Sequence, residues 1–508
     1  MSAVGENDGE KVPFETAIDK TGFGLYNLLL TSLAGLVIIS FACIVYGSTI
    51  IVPSSACELE TTAAQQGLLA SAPIIGTIIG AILWGYLADR KGRRSMLFVS
   101  LLSGAGVNAV ASISVNWIML LILQFIASLL SSGQYTISMT ILSESVPMAK
   151  RNLVVLLVTS IFLLAQGIMA VLAIPIIPLT FSYSLSGLGI TWNSWRTLML
   201  VYCAPSVLCA LWLFFMQESP KYTLAKGDEA ETLRILNVIY KINNRHASEE
   251  LQVKGIIAET KSDESSAKAQ VVPLFKMPLL KYTLIMTTLS IFHQITAFGV
   301  WLPTIANQYV SLLETGEGTD LTICGIINTE LDTVSDPDAT PCALNVTALL
   351  IVLVVGALQS VFNLIVSVLV DRVGRRNTAM AITAFCGTCG ILVNLVPNAM
   401  ASLILFGLYL MAMMVLGLYT AISVALFPTN LRALAVSLTM TGGRVFSFAS
   451  IQILNFLLIN NCEVGFYVYA SILASSAIVA SFLPDDRLLR KQMQKKAIES
   501  PDSEDRVK

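Results

Sequence analysis

The sequence predicts an all-α membrane protein with twelve transmembrane helices, arranged as two pseudo-symmetric halves of six. Hydrophobic residues make up 55% of the 508 residues, charged residues make up 13%, and the mean hydropathy is +0.74. This composition excludes an ordinary soluble domain. Apolar runs long enough to cross a bilayer recur along the whole chain. A short charged motif occurs twice, with its aspartates Asp89 and Asp371 lying 282 residues apart. A motif repeated at about half the chain length indicates a duplicated membrane protein.

The apolar runs are numbered here as spans 1 to 12 in chain order. Each is mostly apolar over about 20 residues or more, the length that crosses a bilayer as a helix. The predicted spans are 25–52, 66–88, 95–115, 117–142, 153–178, 196–216, 282–306, 346–370, 377–396, 400–427, 433–459 and 464–483. The predicted organisation is a cytosolic N-terminal segment at 1–21, a first half at 22–216, a cytosolic linker at 217–281, a second half at 282–483 with an outer loop at 307–345, and a cytosolic tail at 484–508.

Two of the polar segments carry further predictions. The N-terminal segment has no run of basic residues ahead of a short apolar stretch, so it is not predicted to be a cleaved signal peptide. In the linker, residues 228–240 have apolar side chains at helical spacing, which predicts a short amphipathic helix.

The positions of lysine and arginine predict the orientation of the chain. Neither residue occurs in the long stretches 22–88 and 282–370. The basic clusters all fall on the side that also holds both termini and the linker, and this side is therefore predicted to be cytosolic. The outer loop at 307–345 contains seven acidic residues and no cation. Arg196 and Arg444 depart from the pattern.

The repeated motif reads Asp-Arg-x-Gly-Arg-Arg and follows the second span of each half. Its acid can pair with arginines or face a helix N-terminus, its glycine permits a tight turn, and its basic residues hold the loop in the cytosol. The residues of interest are Asp89, Arg90, Gly92 and Arg93 in the first copy, and Asp371, Arg372, Gly374 and Arg375 in the second.

The chain resembles the major facilitator superfamily over almost its whole length. Besides the repeated motif, Glu144 to Arg151 after span 4 has the pattern Glu-x-x-Pro-x-x-x-Arg, and Ala425 to Arg432 after span 10 is its counterpart. These motifs are similar to those of the sugar-porter and organic-ion branches, and in particular to the synaptic vesicle glycoprotein 2 and related-protein group. The resemblance implies two halves that rock around a midplane site. Ion pairs of the loop motifs with Glu144, Arg151 and Arg432 are then expected to close the cytosolic side. The alternative is that these charges only set the topology.

Two ionisable residues are predicted to lie deep in the membrane. Arg444 follows Arg432 by 12 residues, which is roughly 18 Å along a helix and near the middle of a ~30 Å hydrocarbon core. His293 lies at a similar depth in span 7, and no acidic residue lies well inside any span. One fixed cation and one imidazole favour an anionic or neutral polar solute, with His293 as the candidate proton carrier. Alternatively, Arg444 is a structural cation bonded to neighbours such as Asn455 or Gln452, and His293 is a packed neutral imidazole.

Three further side chains are candidates for lining a solute cavity: Tyr46, Trp301 and Gln134. Each has the alternative role of bonding a neighbouring helix, which is common for polar residues in membrane helices.

The outer loop carries candidate modification sites. Cys324 and Cys342 lie on the outer side, where disulfides form, and are expected to pair, with Cys57 and Cys462 as other possibilities. Asn345 is the asparagine of a glycosylation sequon close to span 8.

The sequence shows no nucleotide-binding glycine loop, metal-ligand cluster or catalytic triad, so no cofactor, metal site, enzymatic activity or nucleic-acid partner is predicted. We expect a monomeric secondary transporter or facilitator that moves a small polar or anionic organic solute across the lipid bilayer of the plasma membrane or of a secretory or synaptic-type vesicle. The alternative is a transporter-like protein that does not transport and acts by binding partners. This alternative stays open because span 1 contains no acidic residue and Ala425 replaces the expected glutamate.

Overall fold

A computed structural model describes residues 11–187, 189–244, 251, 253, 255–257, 272–277, 279–294, 297–314, 321–327, 344–427 and 431–484. The contacts divide the chain into two compact units. The first unit is Met1–Ser265 with Thr340–Ala357, and the second is Ser266–Ala339 with Leu358–Lys508. Of the predicted tail at 484–508, residues 485–508 lie outside the described residues.

The first six spans are helices at the predicted positions, to within a few residues. They are Leu25–Val45 and Ser48–Ser55 for span 1, Ala63–Lys91 for span 2, Arg93–Ala111 for span 3, Trp117–Ser145 for span 4, Met148–Ala173 for span 5 and Ser194–Leu213 for span 6. Side-chain caps explain two of the starts, because Thr62 accepts a hydrogen bond from the Gln65 amide and Asn116 accepts one from the Met119 amide.

The remaining spans also form helices. They are Leu279–Gln294 and Phe298–Glu314 for span 7, Val346–Val373 for span 8, Arg375–Leu392 for span 9, Ala399–Leu410 and Val415–Leu426 for span 10, Arg432–Asn460 for span 11 and Cys462–Ser481 for span 12. Eleven helices of the described chain are long and apolar enough to cross a membrane. The helix of span 9 is shorter and opens on two arginines. The all-α membrane class predicted from the sequence is confirmed.

Two spans are interrupted within the described part of the chain. Span 1 breaks at Tyr46 and Gly47, and span 10 passes through a 3-10 helix at Met411–Met414. The break in span 1 requires a glycine, because a β-carbon at Gly47 would lie 2.1 Å from the carbonyl oxygen of Cys43. In span 7, residues 295 and 296 lie outside the described residues.

A layer of short elements covers part of the first unit, on the side predicted to be cytosolic. Strand β1 (Lys11–Pro13) leads into a short helix at Phe14–Lys20, and the linker contains helices at Pro220–Ala225 and Glu229–Asn243. The second of these is the amphipathic helix predicted from the spacing at 228–240. On the opposite side, strands β2 (Tyr183–Leu185) and β3 (Ile190–Trp192) form an antiparallel hairpin. Strand β4 (Gly255–Ile257) pairs in parallel with β1.

Candidate functional site

The first copy of the repeated motif forms the tight turn between spans 2 and 3. Gly92 has a φ of +101°, a conformation that side chains disfavour, and a β-carbon there would lie 2.8 Å from Oε2 of Glu218. Gly374 has a φ of +90° at the corresponding turn of the second copy. Both glycines therefore have the positive φ that these tight turns require, as predicted.

Glu218 caps the N-terminus of span 3. Its carboxylate accepts hydrogen bonds from the backbone amides of Arg93, at 3.1 Å, and Arg94, at 2.9 Å. A carboxylate at this position satisfies free amide groups and faces the positive end of the helix dipole. The Arg94 side chain in turn donates to the carbonyl oxygens of Leu213 and Phe214 at the end of span 6. Glu218 was not among the site residues predicted from the sequence; the signal was an acid placed just after span 6.

Glu144 is the ion-pair partner of Arg93, as the resemblance implied. The hydroxyl of Ser219 also donates to the Glu144 carboxylate, at 2.6 Å. Asp89 makes the weaker contact: its carboxylate lies 3.6 Å from Arg93, and its side chain is 72% exposed. Arg90 stacks on the Tyr86 ring at 4.6 Å. The core of this cluster is therefore the Glu144–Arg93 pair, and Asp89 lies at its edge.

The expected ion pair of Arg151 with a loop motif is not seen among the described side chains, which do not include that of Asp371. The Arg151 guanidinium instead donates to Glu15 at 2.8 Å, because the N-terminal segment folds back onto the start of span 5. In the second copy of the motif, Arg375 donates to the Ala421 carbonyl oxygen at 3.1 Å. Arg372 is exposed, and the side chains of Asp371 and Arg432 lie outside the described part of the chain.

The outer side of the first unit contains an ion pair that the sequence did not predict. Arg196 is 1% exposed and lies 2.6 Å from Glu58. The same guanidinium donates to the carbonyl oxygens of Ser112 and Ser114, at 2.6 and 3.0 Å. The Trp195 indole donates to Glu58 as well, at 2.6 Å. This network explains how a cation is accommodated at the outer end of span 6, against the general charge asymmetry.

The predicted disulfide between Cys324 and Cys342 is corrected by the structure. Cys324 is bonded to Cys462, at the start of span 12, with 5.5 Å between their α-carbons. The reason is burial: Ile323 and Ile326 anchor the outer segment 321–327 in the second unit, and the Cys324 amide donates to Asn394 at 3.1 Å.

The other outer-side candidates have different outcomes. Cys57 is also disulfide-bonded, and Cys342 lies outside the described residues. The side chain of Asn345 accepts a hydrogen bond from the Thr347 amide, at 2.9 Å, at the start of span 8. Glycosylation of Asn345 stays a prediction.

Tyr46 belongs to an aromatic cluster of the first unit. At the break of span 1 its ring packs 6.1 Å from Phe41 and 6.0 Å from Phe162. Tyr135 joins Phe41 and Phe162 at 5.6 and 5.8 Å. Tyr46, Tyr135 and Phe162 are each half-buried, so part of this aromatic surface is open. Sequence reasoning singled out Tyr46 and missed the other rings as partners.

Gln134 is placed differently. It is fully buried, its side-chain oxygen accepts from the Ser40 hydroxyl at 2.9 Å, and its amide nitrogen donates to the Ser100 carbonyl at 3.4 Å. These bonds join spans 1, 3 and 4. Of the two roles considered, the structure therefore favours helix bonding over solute binding.

The second unit holds the other three candidates on spans 7 and 11. His293 is 3% exposed, and its ring packs edge-on to Tyr419 at 6.3 Å. Trp301 is 8% exposed, and its indole N–H has no acceptor among the described residues. Arg444 is half-buried. Within the described part of the chain, no carboxylate forms an ion pair with it. Its bonding to Asn455 or Gln452 stays an open alternative.

Helix packing gives the relative heights of His293 and Arg444. Gly442 on span 11 faces Thr287 on span 7, since a β-carbon there would lie 2.9 Å from the threonine methyl group. Both helices start at their cytosolic ends. At a rise of about 1.5 Å per residue, Arg444 lies roughly 3 Å and His293 roughly 9 Å beyond this contact. The two candidates therefore lie within roughly 6 Å of each other in height.

Comparisons with known proteins agree with this architecture. The family model described as Major Facilitator Superfamily matches residues 33–451. The synaptic vesicle 2-related protein of Xenopus laevis is 24% identical over 501 residues, covering 95% of this chain and 85% of that protein. The synaptic vesicle glycoprotein 2B of Mus musculus is 28% identical over 234 residues, covering 46% of this chain but only 34% of that protein.

A solved structure shows the same fold. The inward-open xylose transporter XylE from E. coli superimposes with a TM-score of 0.62 at 16% identity, covering 91% of this chain and 96% of that one. The resemblance to the superfamily and to the synaptic vesicle 2-related group, inferred from motifs, is confirmed by these matches.

Proposed function

This chain belongs to the major facilitator superfamily, and we propose that it moves a small anionic or polar organic solute across the membrane by alternating access. It is a multi-pass membrane protein of a transporter family. The names of its relatives favour a vesicle membrane or the plasma membrane as its location.

Arg444 is the observation that carries the proposal. A cation inside a bilayer costs at least about 2.5 kcal/mol unless something compensates its charge. The described residues supply no carboxylate for Arg444, and the side chain is only half-buried. An anionic group of a solute supplies the missing countercharge. The guanidinium can bind a carboxylate or phosphate through two parallel hydrogen bonds.

Trp301 and Tyr46 support the same class of solute. The Trp301 indole is a buried donor without an acceptor in the described chain. A buried donor is favourable only when it is hydrogen-bonded, so an acceptor group on the solute stabilises it. Tyr46 adds an aromatic surface beside the break in span 1. His293 remains the candidate proton carrier.

Uptake by the reconstituted protein tests this proposal. Wild type, Arg444→Gln and Arg444→Lys are each offered a panel of organic anions, organic cations and sugars. We expect wild type to take up an anion, Arg444→Gln to lose at least tenfold in uptake while folding normally, and Arg444→Lys to keep part of it. Arg234→Gln, which changes an exposed cytosolic arginine, is the matched control. Unchanged anion uptake by Arg444→Gln contradicts the proposal.

One observation favours the second candidate, a transporter-like protein that acts by binding partners. Span 1 contains no acidic residue, and its Phe41 is buried and packed into the aromatic cluster. A cavity without a carboxylate on span 1 lacks one means of ion coupling. Absence of uptake for the whole panel by well-folded wild-type protein supports this candidate.

A further inference from the structure

Residues 11–22, named here the N-terminal strap, form a built part of the layer on the side predicted to be cytosolic. Strand β1 pairs in parallel with β4 of the linker, in the register Val12 to Ile256. The strap residues Val12, Phe14, Ala17 and Ile18 are buried in one apolar cluster with Leu236, Leu251, Val253 and Ile256 of the linker. Each buried apolar side chain stabilises this packing by on the order of 1–2 kcal/mol. The strap is therefore held to the linker.

Two acids of the strap contact the start of span 5. Asp19 accepts a hydrogen bond from the backbone amide of Met148, the first residue of that helix, at 2.9 Å. Glu15 pairs with Arg151 at 2.8 Å, and both side chains are mostly buried. A carboxylate at a helix N-terminus satisfies a free amide and is stabilised by the helix dipole. The strap therefore supplies the cap that the local sequence at Pro147 lacks.

Amide side chains tie the same strap to span 1. Asn243, at the end of the second linker helix, donates to the Gly22 carbonyl at 2.9 Å and to the Asn27 side chain at 2.7 Å. Asn244 donates to the Thr21 carbonyl at 3.1 Å. The strap thus connects the linker, the entry of span 1 and the turn between spans 4 and 5.

The turn that the strap holds also carries the core of the loop-motif cluster. Glu144, which pairs with Arg93, lies at one end of the turn, and Arg151 lies at the other. A shift at either end displaces the short backbone segment between them. The position of Glu144 relative to Arg93 therefore depends on the contacts that Glu15 and Asp19 make.

We propose that Glu15 and Asp19 are positioning residues for the transport cycle: they hold the turn between spans 4 and 5 so that Glu144 stays paired with Arg93. This rests on the proposed function, because it assigns the strap to the cytosolic gate of that cycle. Release of the strap frees the turn and weakens the Glu144–Arg93 pair, which lowers the rate of the transport cycle. The ligand-facing residues are unchanged by this release, so the effect falls on kcat rather than on KM.

Hydrogen exchange and uptake together test the strap. The variants are Asp19→Ala, Glu15→Arg, Arg151→Glu and the charge-reversed pair Glu15→Arg with Arg151→Glu, all in the full chain. Lys20→Gln, at an exposed position on the same short helix, is the matched control. Amide exchange is read for the peptide 144–152 and, as an internal reference, for the outer peptide 190–200. Initial uptake rates are measured over a range of solute concentrations.

We expect Asp19→Ala to raise exchange in peptide 144–152 by about fivefold, the factor for loss of one helix cap, and Glu15→Arg to raise it as well, with the outer peptide unchanged. The charge-reversed pair is expected to restore wild-type exchange, and the single variants to lower kcat at constant KM. Unchanged exchange in the single variants, or no restoration by the reversed pair, overturns the proposal. The exchange measurement needs no solute. Absence of uptake by wild type therefore counts against the proposed function, and unchanged exchange counts against the strap.

Discussion

Arg196 and Glu58 form an ion pair between the outer ends of spans 6 and 1, with 2.6 Å between guanidinium nitrogen and carboxylate oxygen. Arg196 departs from the rule that places cations on the cytosolic side, and its almost complete burial makes a partner necessary. The carboxylate of Glu58 also accepts from the Trp195 indole and the Asn193 amide. One acid therefore fixes three side chains at the entry of span 6.

Removal of this acid is expected to destabilise the first unit. Glu58→Gln removes the countercharge of a buried guanidinium, at a cost of roughly 1–3 kcal/mol in the free energy of unfolding. Glu60→Gln, on the same outer loop, is the control and is expected to change stability by less than about 0.5 kcal/mol. Thermal unfolding of the purified protein in detergent measures both. Equal unfolding midpoints for the two variants contradict the role given to Glu58.

The cap on span 3 gives a second prediction. Glu218→Ala removes the acceptor of the Arg93 and Arg94 amides and is expected to lower stability by about 1–2 kcal/mol. Glu231→Gln is the comparison, because the Glu231–Arg234 pair is exposed and surface pairs contribute less than about 1 kcal/mol. Unfolding midpoints and exchange in the peptide 93–97 are the measurements. If Glu218→Ala loses no more stability than Glu231→Gln, Glu218 is not the cap of this helix.

Glu144 is expected to matter more than Asp89 for the loop motif. Glu144→Gln removes the paired carboxylate of Arg93, whereas Asp89→Asn removes a contact at 3.6 Å from a side chain that is largely exposed. We expect uptake to fall at least fivefold in Glu144→Gln and by less than twofold in Asp89→Asn, since exposed pairs are weak. Initial uptake rates, measured with equal amounts of each variant in the membrane, test this order of effects. The reverse order of effects indicates that Asp89 has a partner in another state of the cycle.

The disulfide between Cys324 and Cys462 is directly testable. Peptide mapping without reduction should recover these two cysteines in one cross-linked peptide. Cys462→Ser removes a link across 138 residues and is expected to cost about 2–4 kcal/mol. Cys389→Ser, at a buried free thiol, serves as the control. Recovery of Cys324 bonded to another cysteine contradicts the assignment.

Topology gives the last prediction. A protease-sensitive tag inserted after residue 260 is expected to face the cytosol, and one after residue 325 to face the opposite side, because the cations of the chain cluster on the side of the linker. Sealed vesicles should protect only one of the two tags. Equal protease access at both positions contradicts the twelve-span topology.

The sequence alone determined the membrane class, the positions of the spans and the tight turns at Gly92 and Gly374. These features depend on short stretches of chain. Insertion into a bilayer sums the hydrophobicity of about 20 consecutive residues, and a left-handed turn requires a glycine at one position. The Glu144–Arg93 pair was predicted as well, because both residues lie in motifs that resemble those of the family.

The tertiary structure alone decided which distant residues pair. Arg196 finds Glu58 across 138 residues, Arg151 finds Glu15 across 136, and Cys324 finds Cys462 across 138. In each case the sequence offers alternatives of the same chemistry, such as Glu60 beside Glu58 or Cys342 beside Cys324. Which one pairs depends on how helices pack and where loops fold back, and contacts over such distances leave no periodic signal in the chain. The same reason made Gln134 a candidate for solute binding until its helix neighbours were placed.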